Sequence, residues 1–217
     1  MTFGPSAQRV LLGIAFVSAI AAAVATFMMP PVVQLGTLVR LVVFHGAYTW
    51  VNMGLFTVAG LVSAAFLVSG RIGIYAWSTA FRRLAVVAWI VNTALGMLSA
   101  YLSWGSVNLA EPRLQVTFVL LFLCGVVLAL DFFVGRPRLM ALADIVMATA
   151  LWWLILAARD VVHPDSPVMN SGWEIKGPFF GIVASIAVFA LAVTALLSAR
   201  VSDELAESGA VPRDEAA

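Results

Sequence analysis

The sequence predicts an all-α membrane protein: a bundle of six transmembrane helices with both termini in the cytoplasm. Three observations predict it. Of 217 residues, 63% are hydrophobic and only 11% are charged, whereas soluble domains carry about 25% charged residues. The mean hydropathy is +1.04, which is more apolar surface than a soluble core of this length can hide. The apolar residues also fall into runs of the length a bilayer demands, about 20 residues each. A net charge of +1 and a pI near 8.0 give no basic field for nucleic acid and no acidic one for cationic partners.

In order, the runs are Val10 to Met29, His45 to Ser69, Leu84 to Ser103, Val116 to Val134, Leu139 to Ala158 and Pro178 to Ala199. The second continues upstream without a charge to Leu41, so its helix can begin a turn or more before His45. The intervening segments are Pro30 to Arg40, Gly70 to Arg83, Trp104 to Gln115, Gly135 to Arg138 and Arg159 to Gly177, where Pro and Gly punctuate helix ends. Residues 1–200 therefore make one six-helix transmembrane domain. Residues 201–217 are rich in Ala, Asp and Glu, lack apolar periodicity and read as a disordered cytoplasmic tail. No internal repeat of fixed period is visible.

Cytoplasmic loops carry the excess of Arg and Lys. One set of termini and loops holds Arg9, Arg71, Arg82, Arg83, Arg136, Arg138, Arg200 and Arg213; the other holds Arg40, Arg113, Arg159 and Lys176. Eight against four places the first, third and fifth loops outside the cell membrane, where Glu111, Asp160, Asp165 and Glu174 offset the positive charges. Arg9, the first apolar run and the small residues Ala21 to Ala25 also fit a secretory signal peptide, but the run is long for its apolar region. A retained first helix is the expectation.

The single cysteine, Cys124, lies within the run Leu120 to Leu130. There is no disulfide framework, no CxxC redox pair and no CxxCH site for covalent haem, and Cys124 reads as a small apolar helix residue. Gly54, Gly60, Gly96 and Gly125 are expected to allow close helix contact. Asn52 and Asn92 are expected to hydrogen-bond between helices. Asp144 needs a partner inside hydrocarbon and is expected to pair towards Arg138, with Asp131 similarly placed near Arg136. Both read as structural or interaction residues, with proton relay as the alternative.

The two histidines are the natural ligands. His45 lies near the outer end of the second helix, and His163 sits in the fifth loop before Pro164. Neutral imidazole binds iron without needing charge neutralisation in a low-dielectric setting, and two from separate loops suit opposite axial positions of a haem. The third loop, Trp104 to Leu114, holds an interfacial Trp104 and the helix start Glu111-Pro112-Arg113, which by periodicity alone read as an anchor and a solvated ion pair.

That loop resembles the tryptophan-rich signature of the cytochrome c assembly family, the haem-handling membrane proteins that include CcmC-type and CcsA-type members. The chain keeps Trp104-Gly105, a five-residue gap, Glu111 in the acidic position, Pro112 and Arg113-Leu114; Ser106 to Ala110 carry none of the central tryptophans. Upstream, Arg40 to His45, followed by Ala47, Trp50, Met53 and Gly54, is similar to the family's first haem-ligand segment. Trp152-Trp153 followed by His163-Pro164 is a looser match to its second.

The resemblance spans Arg40 to about Ala199 and implies the six-helix plan of the CcmC-type branch. It further implies non-covalent haem held by His45 and His163 as axial ligands, with Arg40 and Arg113 near the propionates and Trp104 and Glu111 in the binding loop. The implied function is haem transport at the outer membrane face during c-type cytochrome biogenesis, with no enzymatic turnover. The implied partners are a haem chaperone and ABC-transporter subunits, within membrane lipid. Two other readings follow from the residues: a small secondary transporter or channel component with Asp144, Asn52 and Asn92 along its pathway, and a structural or regulatory membrane subunit that does not bind haem.

Overall fold

The computed structural model describes residues 3–158 and 168–207. Within them the chain forms six helices: α1 (Pro5–Phe27), α2 (Val39–Ser69), α3 (Ile72–Trp104), α4 (Pro112–Phe133), α5 (Pro137–Ala157) and α6 (Trp173–Glu207). All six are long and apolar enough to cross a membrane, which is the architecture of a multi-pass membrane protein. Among the described residues there is no strand, only a bridge between Val32 and Gly36 in the turn that joins α1 to α2.

Local chemistry sets most of the ends. Pro5, Pro112 and Pro137 occupy first helical positions, where a missing backbone N–H has no partner to lose. Gly70 and Gly105 close α2 and α3 in the left-handed conformation, with φ of 68° and 76°, and each N–H bonds the carbonyl four residues back.

Two elements run past their expected limits. α3 begins at Ile72 instead of Leu84, so Arg82 and Arg83 are helix residues and the connection from α2 shrinks to Gly70-Arg71. Charge does not break a helix when partners lie across the bundle: Arg82 is tied to two carboxylates, and Arg83 Nη1 donates to Glu204 Oε2 of α6 at 2.8 Å. α6 begins at Trp173, five residues before Pro178, and extends to Glu207. Residues 201–207 are therefore helical, with Val201 buried, which corrects the expectation of a disordered tail there; residues 208–217 lie outside the described ones. The 33 residues of α3 and 35 of α6 make rods of roughly 50 Å, longer than the hydrocarbon. Their extra turns meet at the same end.

Side-chain contacts fix an alternating up-and-down bundle. His45 near the start of α2 meets Gly96 near the end of α3, and Gly60 towards the end of α2 meets Ala148 of α5. Trp89 Nε1 donates to the carbonyl of Thr117 near the start of α4. On the other flank Gly181 of α6 faces Ala25 of α1. α2 is thus central. One core packs Leu55, Phe56, Phe81, Trp89, Leu120 and Leu151 of α2 to α5; a second packs Met29, Val43, Ala47, Phe179 and Ile182 of α1, its following turn, α2 and α6. Phe16 of α1 and Phe122 of α4 are 68% and 71% exposed, a placement that only an apolar solvent rewards.

The glycines divide by position. A Cβ at Gly60 would lie 2.8 Å from Ala148 Cβ and 3.3 Å from the Asp144 carbonyl, so α2 and α5 touch there; at Gly54 and Gly125 nothing lies within 4 Å. Gly60→Ala is expected to destabilise the protein by about 1–3 kcal/mol through overpacking. Gly54→Ala should be neutral or stabilising, by up to about 1 kcal/mol, through helix propensity alone. Thermal unfolding of the detergent-solubilised variants checks the contrast, and equal losses at both positions would contradict it.

Candidate functional site

Starts of α2 and α4 and the end of α3 gather five of the six expected site residues at one end of the bundle. His45 occupies the second turn of α2 and is half-buried. Its ring crosses to α3 over Gly96, where a Cβ would come within 3.0 Å of Cε1 and 3.2 Å of Nε2. A side chain at position 96 would press the imidazole back by a few tenths of an ångström. One turn further in, Thr49 Oγ1 donates to the His45 carbonyl and lies 2.8 Å from Asn92 Oδ1 of α3, so Asn92 makes the expected interhelical bond.

Arg40 stands one turn before His45 and faces away from it. Its Nε donates to the Met29 carbonyl at 3.1 Å, and its guanidinium carbon lies 6.0 Å from the Phe27 ring centroid. Arg40 therefore ties the start of α2 to the end of α1, satisfying a carbonyl that the helix leaves open. Trp104 is the last residue of α3 and half-exposed, and Arg113 is exposed. Glu111 is buried: it N-caps α4, Oε2 accepting from Leu114 N at 2.8 Å. Glu111 is thus a buried cap and not the solvated residue expected there. His163, and with it the pairing of two histidines, lies outside the described residues.

At the opposite end is a cluster that the sequence reading did not assemble. Arg82, 2% exposed, donates from Nη1 to Asp144 Oδ2 at 3.0 Å and from Nη2 to Asp131 Oδ1 at 3.3 Å. Asp144 also accepts from Ser63 Oγ at 2.8 Å. One guanidinium thereby joins α3 to α4 and α5, and the carboxylate it holds reaches α2. The expected partners were Arg138 and Arg136; both are exposed at the start of α5, and Arg136 is its N-cap residue. Arg82 wins because it points into the bundle with a planar fork of donors. The sequence held a signal for this: Tyr75, Ser78, Arg82, Ala85 and Trp89 recur at helical spacing and form one buried face of α3.

Other expectations divide. Cys124 is a buried apolar residue of the core, as read. Asn52 is 1% exposed, and neither amide atom has a hydrogen-bond partner, so it does not make the expected interhelical bond. Trp152 Nε1 donates to Thr57 Oγ1 of α2 at 2.9 Å, while the neighbouring Trp153 points outwards, 68% exposed. No protein-family model matches the chain, and no curated protein matches it in sequence.

Breaking the buried cluster should cost far more than breaking its exposed neighbour. Arg82→Met strands two carboxylates and is expected to destabilise by about 3–5 kcal/mol. Arg83→Met removes an ion pair whose side chains are 40% and 56% exposed, an interaction worth about 0–1 kcal/mol. Melting temperatures of the two variants in the same detergent make the comparison.

Proposed function

We propose that this chain is a membrane haem-handling protein of c-type cytochrome assembly, which holds haem non-covalently at the His45 end of the bundle and passes it on. The observation that carries the proposal is the seat of His45: an imidazole in the second turn of α2 for which α3 makes room by placing glycine at position 96. The resemblance of Arg40 to Gly54 and of Trp104 to Leu114 to cytochrome c assembly proteins supports the same end of the molecule. In this reading that end faces away from the cytoplasm, as the arginine count predicts, and the membrane is the cell membrane.

The residues present suit the cofactor. His45 would ligate iron through a neutral nitrogen, with His163 as the second ligand. Arg40 spends Nε on Met29, which leaves its two terminal nitrogens to meet a propionate, and Arg113 is exposed at the same end. Trp104, half-exposed beside the Gly105 turn, offers an indole face at the bundle's rim. When bound, haem would supply an iron centre that accepts and releases imidazole; the protein's part is to orient it and let it leave, which suits a carrier rather than an enzyme. The receiving partners are a haem chaperone and ABC-transporter subunits.

Absorption spectroscopy tests this. The full chain, expressed with ample haem and purified, should show a Soret band that His45→Ala reduces about tenfold or more relative to protein, as expected for loss of an axial ligand; His163→Ala should change its position or intensity. A haem-free wild type, or a band indifferent to both substitutions, would falsify the proposal. Gly96→Ala should perturb the same band, because the ring must shift by a few tenths of an ångström.

A further inference from the structure

The α2–α3 contact is a heptad-like seam whose chemistry changes along its length. On α2 the seam residues are 45, 49, 52 and 56; on α3 they are 103, 99, 96, 92 and 89. The register is anchored by three pairs: His45 against Gly96, Thr49 against Asn92, and Phe56 against Trp89, whose rings stand 5.9 Å apart at 71°. From the His45 end inwards the seam is lined by small polar groups, Ser103, Ser99, Thr49, Asn92 and Asn52. Both amide atoms of Asn52 and the hydroxyls of Ser99 and Ser103 are buried without a hydrogen-bond partner. Such groups cost free energy in an apolar bundle unless something hydrates them.

Below Asn52 the seam turns dry. Phe56 and Trp89 are 3% and 2% exposed, and the Trp89 ring is pinned by its bond to the Thr117 carbonyl. Immediately beyond lies a cavity of about 10 Å³ lined by Phe56, Ala59, Arg82 and Asp144 among others, room for about one water. Arg82 Nε is buried there without a partner. Past the cavity, Arg82 connects Asp144 to Asp131, and Asp131 lines an open cleft of about 660 Å³ between α3, α4 and α6, with Tyr75, Thr79, Arg83 and Glu204 around it. Among the described residues, polar groups thus reach inwards from both ends, separated by the Phe56–Trp89 pair and by the apolar side chains of Val86, Cys124 and Met147 that also line the cavity.

We propose that the α2–α3 seam is a gated proton path, with the Phe56–Trp89 pair as its closed constriction and Asp144 as its proton-accepting site. An apolar constriction of this kind blocks conduction by excluding water, and intramembrane carboxylates serve as proton-relay groups in pumps and transporters. A proton entering from the cleft binds a carboxylate oxygen of the Arg82 cluster. It leaves on the far side through water held by Asn52, Asn92 and the seam hydroxyls, driven by the gradient, with no other reactant. This path shares an end with the haem site but uses none of its ligands, so either proposal stands or falls without the other.

Proton flux into liposomes containing the full chain and an entrapped pH dye, driven by a potassium diffusion potential, tests it. Phe56→Ala should raise the initial flux at least about tenfold over wild type by wetting the constriction. Adding Asp144→Asn should return it to the wild-type level. Phe179→Ala, equally buried but in the core of α1, α2 and α6, should leave it unchanged. Flux that fails to rise in Phe56→Ala, rises as much in Phe179→Ala, or survives Asp144→Asn overturns the proposal. If Phe56→Ala does not fold, cysteine labelling decides in the Cys124→Ala background. Asn52→Cys should react with a small charged methanethiosulfonate at least about tenfold faster than Ala47→Cys, which faces the dry second core; equal rates reject a hydrated seam.

Discussion

A charged group inside a bundle of apolar helices has no water to turn to, and Arg82 is where this chain meets that constraint. Its guanidinium is almost wholly buried, so its charge must be met by groups that other helices bring to it. Asp131 comes from α4, Asp144 from α5, and Ser63 of α2 completes the second carboxylate. Four of the six helices are therefore held at fixed depth and rotation at one end. The close approach at Gly60 belongs to the same device. Without the absence of a side chain there, α2 could not lie against the Asp144 backbone, and Ser63, three residues on, could not reach the carboxylate.

The other end is built differently. Among the described residues, the polar groups between α2 and α3 from Asn52 to the rim are serine, threonine, asparagine and His45, with glycine beside them. Thr49 and Asn92 hydrogen-bond across this seam, a neutral bond worth about 1 kcal/mol or less within membranes. It holds a register without locking it. The contrast assigns the ends different work: rigidity where Arg82 spans four helices, and adaptability where His45 rests on Gly96. Arg40, bonded to the Met29 carbonyl, is the exception that keeps α1 attached to the adaptable end.

What the sequence made legible follows from what is local. Apolar length is a local property, and all six helices were readable from it, as were the proline starts and glycine stops. Boundaries failed where a charge is satisfied from far away. Arg83 reads as a loop residue until Glu204 is seen beside it, and Arg82 until two carboxylates from later helices are. Glycines were readable as small but not as contacts: Gly60 and Gly96 meet a neighbour, while Gly54 and Gly125 face open space. At the candidate site, the sequence pointed to one end of the bundle, and the structure places His45, Arg40, Trp104, Glu111 and Arg113 there. What it could not supply was the work each side chain already does. Arg40 closes α1, and Glu111 caps α4.

The register Trp104-Gly105 to Glu111-Pro112 has a purely helical explanation: Gly105 ends α3 in the left-handed conformation, Glu111 caps α4, and Pro112 takes its first position. Any chain that turns from one helix to the next in this way keeps those residue types, with or without a cofactor. His45 neither caps nor ends a helix; it lies across Gly96 of α3, where an added Cβ would come within 3.0 Å of the imidazole. What distinguishes this end of the bundle is therefore the imidazole on its glycine seat, while the Gly105 to Pro112 turn sets where α3 and α4 meet.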